Sequence, residues 1–422
     1  MAIGLALVVG ACEAGGDAAP TTSQTSATSD PAAAARRNVD GHLRLGVWLP
    51  ASGAAELLGT PLIAGVELAV RLINDAGGVN GQMLDVVNRD EGSDPATAAE
   101  ALSTMLDEDQ VDVIVGPASS RVALGALDVL AEAGAVACSP TAMALDLEHK
   151  RDNGFFVRTI GSEALEAMAL TSAMVATGDT VFAVLYPDDD YGSTFAGQVQ
   201  RAFRRLREEV SLVPYDPTLK QFNGPVRRAL DGGAEVVGVV GSGTVGASVL
   251  ASLAANDATP DRIPTFVTDG LRRDDLGGLI DPRRPTASAG IQGVSPLARP
   301  QDSAFEESFA LWSPGTPVAY ASYAFDCVNL LALGAQAAGT DDAEAIQAKL
   351  ATVSAGGSPC SGFRDCADQL ARGRNINLDG ASGDLDLQDD GDVGVASYEL
   401  FEYDEAGQAV PVRVFTVRTD GA

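Results

Sequence analysis

The chain has 422 residues, of which 46% are hydrophobic, so it is long enough to form two domains with separate cores. Its formal net charge is −30, from 58 acidic against 28 basic residues, which disfavours binding to nucleic acid or to an anionic membrane surface. Only two histidines occur, His42 and His149, and they lie far apart in the chain. The sequence therefore gives little support for a histidine-based metal site or a Ser-His-Asp triad, and we expect no metal.

The first twelve residues, MAIGLALVVGAC, are apolar but too short to span a bilayer as a helix. They end in small residues before Cys12, a pattern that resembles the lipobox of bacterial lipoproteins, in which the cysteine carries the lipid. No Lys or Arg precedes the apolar run, so either the natural start lies upstream or the similarity is fortuitous. We expect a lipoprotein signal segment over 1–12, lipidation of Cys12 and a flexible tether over 13–40.

From His42 onward, strand-like and helix-like segments alternate. A first series has strand-like runs at 43–50, 82–91, 111–117, 135–140 and 155–160. A second series begins with a helix at 162–177 and continues with strand-like runs at 180–187, 236–240 and 264–270. The alternation predicts parallel sheets covered by helices on both faces, and the two series predict two lobes. The pattern changes after 290 to helices and a β-rich tail, which favours a chain that crosses back between the lobes over a third domain.

A glycine motif, Gly241-x-Gly243-x-x-Gly246, follows the β-branched run at 236–240, and Asp269 ends the next strand-like run about 20 residues later. This order is also typical of a dinucleotide-binding turn. However, the motif lies in the middle of the second series, and the chain after Asp269 lacks the β-α repeats of a six-stranded dinucleotide-binding sheet. We therefore predict no cofactor. The motif is not a nucleophile elbow either, because Val240 stands where that turn needs glycine.

Four cysteines remain besides Cys12, an even number that suits an oxidising compartment. Cys360 and Cys366 bracket a short polar loop, and we predict a disulfide between them. Cys138 lies in a strand-like run and Cys327 on the apolar face of a helix. These last two are either buried free thiols or a second disulfide.

Several segments, in their order and spacing, resemble the periplasmic solute-binding proteins of the leucine/isoleucine/valine type, which serve ABC importers. The resemblance runs from about 43 to 420 and includes "GVELAVRLINDAGGVNGQMLDVVNRDEGSDPATAAEAL", "VDVIVGPASS", "YPDDDYGSTFA" and "FVTDG". It implies an α/β fold of two doubly wound lobes with parallel-rich sheets, joined by three hinge crossings, with the ligand cleft between them. We expect an N-terminal lobe of 41–161 and 296–375, and a C-terminal lobe of 162–295 and 376–422.

The resemblance also implies a ligand site in the loops at the carboxyl ends of the strands. Ser119 and Ser120 begin a helix whose free amides are suited to hold a carboxylate, although an ordinary N-cap is the alternative. Thr141 falls where the family offers a backbone carbonyl and a hydroxyl to the ligand. Met143 stands where members of the family often carry Ser or Thr, which removes one hydroxyl from the site.

On the second lobe, Tyr191 matches an aromatic residue that closes over the ligand, and Asp269 matches the acid that binds the ligand's ammonium group. The alternatives are a packing residue for Tyr191 and a helix cap for Asp269. Leu58 and Ser242 occupy the positions of two other aromatic contacts of the leucine-type proteins. Their replacement predicts a side-chain pocket that is roomier or more polar than leucine needs.

These features predict an extracytoplasmic, monomeric lipoprotein that captures a small amino acid, or a related amide or organic solute, by lobe closure. Its expected partners are the permease subunits of an ABC importer, and its only expected membrane contact is the lipid anchor on the periplasmic or cell-surface face. We expect no enzymatic activity, because no nucleophile-base pair occurs in the strand-end loops. The alternative is a ligand-sensing receptor module of the same fold.

Overall fold

The structure, a computed structural model, describes residues 39–52, 55–92, 94–148, 152–297 and 303–419. Cys12, the predicted signal segment, nearly all of the predicted tether and His149 lie outside the described residues. Within the described part of the chain, no helix is long and apolar enough to cross a membrane.

The first part of the chain builds a five-stranded parallel sheet. Its strands are β1 (Arg44–Leu49), β2 (Asp85–Asp90), β3 (Val113–Val115), β4 (Val136–Ser139) and β5 (Phe156–Arg158), which pair in the order β2-β1-β3-β4-β5. The connections are the helices α1 (Glu56–Asp75), α2 (Pro95–Asp107) and α3 (Ser120–Ala133). Strands β3 and β4 are buried along their whole length, as expected for strands covered by helices on both faces.

The second series of elements builds the parallel part of another sheet. It runs α4 (Glu163–Val175), β6 (Phe182–Pro187), α5 (Asp190–Arg205), β7 (Val210–Tyr215), α6 (Asn223–Asp231), β8 (Val236–Val239), α7 (Gly243–Ala255), β9 (Thr265–Val267), α8 (Leu276–Ile280) and β10 (Gln292–Pro296). The glycine motif lies at the turn from β8 into α7, so its local structure is a strand, a turn and a helix. The parallel-rich, two-lobed α/β architecture expected from the sequence is confirmed.

After β10 the chain returns to the first lobe and then crosses once more. The returning elements are α9 (Ser303–Trp312), α10 (Ala321–Ala338), α11 (Ala343–Ser354), β11 (Ser358–Cys360), α12 (Gly362–Ala371), β12 (Ile376–Gly380) and β13 (Gly383–Asp384). Strands β14 (Val395–Tyr403) and β15 (Ala409–Arg418) are antiparallel and complete the second sheet, whose order is β15-β14-β10-β9-β8-β6-β7.

The predicted lobe boundary at 375/376 needs correction. Ile376, Leu378 and Val393 pack in the core of the first lobe, and after them the next residues that pack in the second lobe's core are Ala396 and Tyr398. Strand β12 pairs with β11, which keeps it on the first lobe. The third crossing therefore comes near Gly394, and 376–393 belongs with the first lobe.

Two disulfides hold the first lobe and its returning segment. Cys360, the last residue of β11, is bonded to Cys366 in the first part of α12, as predicted. Cys138 and Cys327, for which the sequence left two states open, form a second disulfide that joins β4 to α10 over a sequence separation of 189. Both of these sulfur-bearing residues are fully buried, so this bond lies inside the core of the first lobe.

Helices α1 and α10 pack closely at Gly65, where an added Cβ would overlap the carbonyl oxygen of Ala321. Because backbone atoms cannot move aside cheaply, Gly65→Ala is expected to destabilise the protein by roughly 1–3 kcal/mol. Gly125→Ala is the matched control, since a Cβ on this residue of α3 meets nothing within 4 Å. It should instead stabilise the protein by about 0.5–1 kcal/mol. Urea unfolding measures both, and equal stabilities would contradict the close packing.

Candidate functional site

One loop of each lobe, the loop after β4 and the loop after β9, contacts the first turn of α4, beside the first crossing between the lobes. The amide of Glu163, at the start of α4, donates to the carbonyl oxygen of Met143, in the loop after β4, over 2.9 Å. The carboxylate of Glu163 also accepts from the amide of Leu145 at 3.3 Å. The predicted first-lobe residues are therefore fixed next to the beginning of the second lobe.

Glu91, which directly follows β2, binds the backbone at the start of α3. Its carboxylate accepts from the amides of Ala118 at 2.7 Å and Ser119 at 2.9 Å, and its side chain is 1% exposed. Burial raises the pKa of Glu91 to about 7, although these two hydrogen bonds oppose the shift. Ser119 is the N-cap residue of α3 but makes no side-chain cap hydrogen bond. Part of the amide surface expected to hold a ligand carboxylate is thus taken by Glu91.

Ser120, Thr141 and Met143 are brought together in one network. The hydroxyl oxygen of Ser120 accepts from the amides of Met143 at 3.1 Å and Ala144 at 3.2 Å, which leaves its O–H to donate. The hydroxyl of Thr141 donates to the carbonyl oxygen of Ala118 at 2.9 Å, which leaves its lone pairs to accept. Ser120, Thr141 and Met143 together form the first-lobe wall of the site. This wall offers a ligand one hydroxyl donor, from Ser120, and one hydroxyl acceptor, from Thr141, while Met143 takes part only through its backbone.

Arg158 fixes the position of this first-lobe wall through buried hydrogen bonds. Its fully buried guanidinium donates to the carbonyl oxygens of Ala142 at 3.1 Å and Ala144 at 3.0 Å, and it forms a two-pronged ion pair with Asp392. Asp392 lies just before the third crossing, so one side chain joins the loop after β4 to the hinge. A buried guanidinium with its hydrogen bonds satisfied fixes geometry well.

On the second lobe, Asp269 and Glu166 form a pair of acids. Asp269 lies just after the buried strand β9, separated from it by Thr268, and its amide donates to the Glu166 carboxylate at 3.0 Å. Glu166 is 1% exposed, in the first turn of α4, and its carboxyl group lies close enough to that of Asp269 to interact with it directly. Burial, and then the charge of Asp269, raise the pKa of Glu166 well above its ordinary value, and burial also raises the pKa of Asp269.

Two tyrosines lie beside this acid pair. Tyr191, in the first turn of α5, is 37% exposed, yet its hydroxyl is close to Thr268. Burial of the hydroxyl and the charges of Glu166 and Asp269 raise the pKa of Tyr191. Tyr320 is the N-cap residue before α10 on the first lobe and has a left-handed conformation, with φ of 60°, and burial and the charge of Asp269 raise its pKa. Asp269 is thus close to aromatic residues of both lobes.

The loop after β8, which carries the glycine motif, lies next to the loop that carries Asp269 on the second lobe. Ser242 is exposed and precedes α7 without a side-chain cap hydrogen bond. A Cβ on Gly270 would lie 2.8 Å from the carbonyl oxygen of Gly241 and 2.9 Å from the Cβ of Ser242, so the loop after β8 touches the loop that carries Asp269. Leu58 is half-buried in α1, against the first-lobe core.

Sequence reasoning missed four of these residues: Glu91, Arg158, Glu166 and Tyr320. Glu91 and Arg158 stand at the carboxyl end of a strand-like run, and this position in the sequence could have identified them as candidate site residues. Among the described residues, no group of three or more His, Cys, Asp or Glu side chains is arranged to hold a metal ion.

The buried acids predict that stability falls as pH rises from about 4.5 to about 7. Burial raises the pKa of both Glu91 and Glu163 to about 7, whereas their ordinary value is 4.5. In that window the folded state binds more protons than the unfolded state. Each group whose pKa is raised in this way can lower the free energy of unfolding by up to about 1.4 kcal/mol per pH unit. Carboxylates with lowered pKa values, such as Asp94, change the pH dependence of stability only below this window.

Urea unfolding at several pH values checks this, with Glu163→Gln expected to lose part of the slope. Glu235→Gln is the control, because Glu235 is exposed and its pKa is lowered. A free energy of unfolding that stays flat or rises between pH 5 and pH 7 would contradict the pH dependence.

Two α/β lobes joined by three crossings, with polar strand-end loops of both lobes meeting near the hinge, define a two-lobed solute-binding protein. The chain belongs to the periplasmic binding protein family, whose model matches residues 42–375, and within it to the leucine/isoleucine/valine-binding type. The resemblance inferred from the sequence is thereby confirmed.

Similar proteins include the chemotactic signal transduction system substrate-binding protein BasB of Halobacterium salinarum, 26% identical over 81% of this chain and 83% of that protein. Leu/Ile/Val-binding protein homolog 3 of Brucella melitensis is 26% identical over 86% of this chain and 92% of that protein. A crystal structure of the branched-chain amino acid transporter substrate-binding protein LivJ from Streptococcus pneumoniae, in complex with isoleucine, has the same fold. It aligns with a TM-score of 0.65 and 19% identity over 89% of this chain and 99% of that one.

Proposed function

We propose that this chain is the extracytoplasmic substrate-binding protein of an ABC importer and that it captures a small amino acid or a related amide in the cleft. One observation carries the proposal: hydroxyl groups of Ser120 and Thr141 on the first lobe lie near the hinge, as do Asp269 and Tyr191 on the second. Such a set complements a ligand that has an anionic and a cationic end. The names of two relatives with similar sequences support a binding role over an enzymatic one.

Each lobe would take one end of the ligand. The free O–H of Ser120 and the first-turn amides of α3 beyond Ser119, whose own amide binds Glu91, would hold the carboxylate, where the helix dipole adds to the attraction. The Asp269 carboxylate would face the ammonium group, and the Thr141 hydroxyl oxygen can accept one of its protons. Tyr191 would cover the ligand, and the exposed Ser242 leaves room for a polar side chain.

Binding would be coupled to closure, because a ligand that touches both lobes stabilises the closed arrangement more than the open one. The permease subunits of the importer would then recognise the closed form of the monomeric protein. Lipidation of Cys12, within the segment outside the described residues, would keep the protein at the periplasmic or cell-surface face of a bacterial membrane.

A sensory role is the second candidate, because one relative is named as the substrate-binding protein of a chemotactic signal transduction system. The two roles differ in their partner and not in the cleft. Uptake of a radiolabelled ligand by cells with and without the gene separates them. Loss of uptake supports import, whereas normal uptake with lost chemotaxis supports sensing.

A thermal-shift screen tests the binding function. The protein is heated with the standard L-amino acids, their amides, organic acids such as benzoate, and NAD. A ligand that binds the native state at a hundredfold excess over its Kd adds about 2.7 kcal/mol of stability. We expect amino acids or amides to raise the melting temperature. A shift with NAD alone, or with none of these compounds, would contradict the proposal.

A further inference from the structure

We propose that Glu166 and Asp269 act together as a two-carboxyl receptor for the cationic amine of the ligand, and that this amine displaces a proton that the two groups share before binding. The inference rests on the proposed function, because it takes the cleft as the ligand site. It adds a second acid, Glu166, to the site. It also predicts the specificity of the site, which should accept amines and reject organic acids of the same shape.

The geometry places the two acids as one unit. Glu166 is buried in the first turn of α4, and its carboxylate accepts from the backbone amide of Asp269 at 3.0 Å. This contact brings the two carboxyl groups close enough to interact directly. Asp269 is half-buried, and its charge reaches Tyr191 on one lobe and Tyr320 on the other. A ligand amine that contacts Asp269 therefore enters the field of Glu166 as well.

The nearby cations are already engaged. Arg158 is paired with Asp392 and Glu148, and Arg272 is paired with Glu399 and donates to Ser295. Within the described residues, no ion pair joins Glu163, Glu166 or Asp269 to an arginine or lysine. The other titratable groups that interact with the acid pair are acidic or phenolic: Glu163, Tyr191, Tyr320 and Tyr398.

Two carboxyl groups in close contact, one of them fully buried, cannot both ionise at little cost, so one of them keeps a proton. The raised pKa of Glu166 agrees with this arrangement. An ammonium group between the two favours their charged forms, and the shared proton then leaves to solvent. Proton release of this kind makes the affinity for the amine rise about tenfold per pH unit wherever the pair still holds its proton.

The same charges set the specificity. A carboxylic acid without an amine brings no positive charge to the pair, so the pair keeps its shared proton and the ligand forms no ion pair with Asp269. Removing one partner from a buried ion pair costs roughly a hundredfold to a thousandfold in binding. We therefore expect des-amino acids to bind at least a hundredfold more weakly than the amino acids of the same shape.

Isothermal titration calorimetry tests the inference. The probes are the standard L-amino acids, each beside the carboxylic acid that lacks its amino group, for example L-leucine beside 4-methylpentanoate. Titrations in phosphate and in Tris, which differ in ionisation enthalpy, give the number of protons released. For the wild-type protein we expect about one proton released per amino acid bound and an affinity that increases with pH.

Glu166→Gln keeps an acceptor for the Asp269 amide but cannot hold the shared proton. It should bind the same amino acid with no proton released and without the pH slope. Glu163→Gln is the matched control one turn earlier on α4 and should keep the release. If the wild-type protein binds an amino acid without releasing a proton, or if only Glu163→Gln abolishes the release, the inference is overturned while the binding function stands. If neither an amino acid nor an amide of one binds, the proposed function itself fails.

Discussion

Replacing Asp269 with asparagine is expected to weaken binding of the captured amino acid by roughly a hundredfold to a thousandfold, because a buried ammonium group loses its charged partner. The substitution preserves the size of the side chain and the amide that donates to Glu166. The fold should not suffer, since one of two crowded buried acids is removed. Calorimetric titration measures the affinity, and the melting temperature of the ligand-free protein measures the fold.

Asp275→Asn is the matched control for this substitution. Asp275 follows the same strand, but it is exposed and pairs with the exposed Arg273. An exposed pair of this kind is worth at most about 1 kcal/mol, so its loss should leave the affinity unchanged. Equal affinities of Asp269→Asn and the wild-type protein would show that the amine binds elsewhere.

Removing the disulfide between Cys138 and Cys327 is expected to lower the free energy of unfolding by about 5 kcal/mol. The reason is loop-closure entropy in the unfolded chain, which grows with the length of the closed loop. This disulfide closes a loop with a separation of 189 residues, and that loop contains the whole parallel part of the second lobe. The double variant Cys138→Ala with Cys327→Ala removes it without leaving a buried hydroxyl.

The short disulfide between Cys360 and Cys366 is the internal control, with a separation of 6. The same loop-closure relation gives only about 2 kcal/mol for the double alanine variant at these positions. Urea unfolding of both variants, followed by circular dichroism, gives the comparison. A larger loss from the short loop than from the long one would contradict the entropic account.

Much of the fold could be predicted because buried parallel strands leave a clear mark in sequence. The run at 111–117 is nearly continuous in apolar residues, and the strand within it is covered on both faces. The third crossing was misplaced because β12 has the same apolar pattern whichever sheet it joins. Only its pairing with β11, and the packing of Ile376 in the first-lobe core, decide the boundary.

Candidate site residues at strand ends were accessible from the sequence, because chain order alone places them in the loops of one edge. Ser120, Thr141 and Asp269 are of this kind. The buried partners were not accessible, since their pairing spans long stretches of chain: Glu166 and Asp269 are 103 residues apart, and Arg158 and Asp392 are 234 apart. No local spacing in the sequence indicates such a pair, and the residues around Glu166 on its helix do not reveal that its carboxyl group is buried.

Small-angle X-ray scattering tests most directly whether a small amino acid bridges the two lobes in the cleft. The radius of gyration is measured for the protein alone and with a saturating amount of the amino acid that stabilises it. Lobe closure predicts a smaller radius for the wild-type protein with the amino acid, and no change for Asp269→Asn at the same concentration. A wild-type radius that does not change, although calorimetry shows the amino acid bound at one per chain, would contradict binding between the lobes.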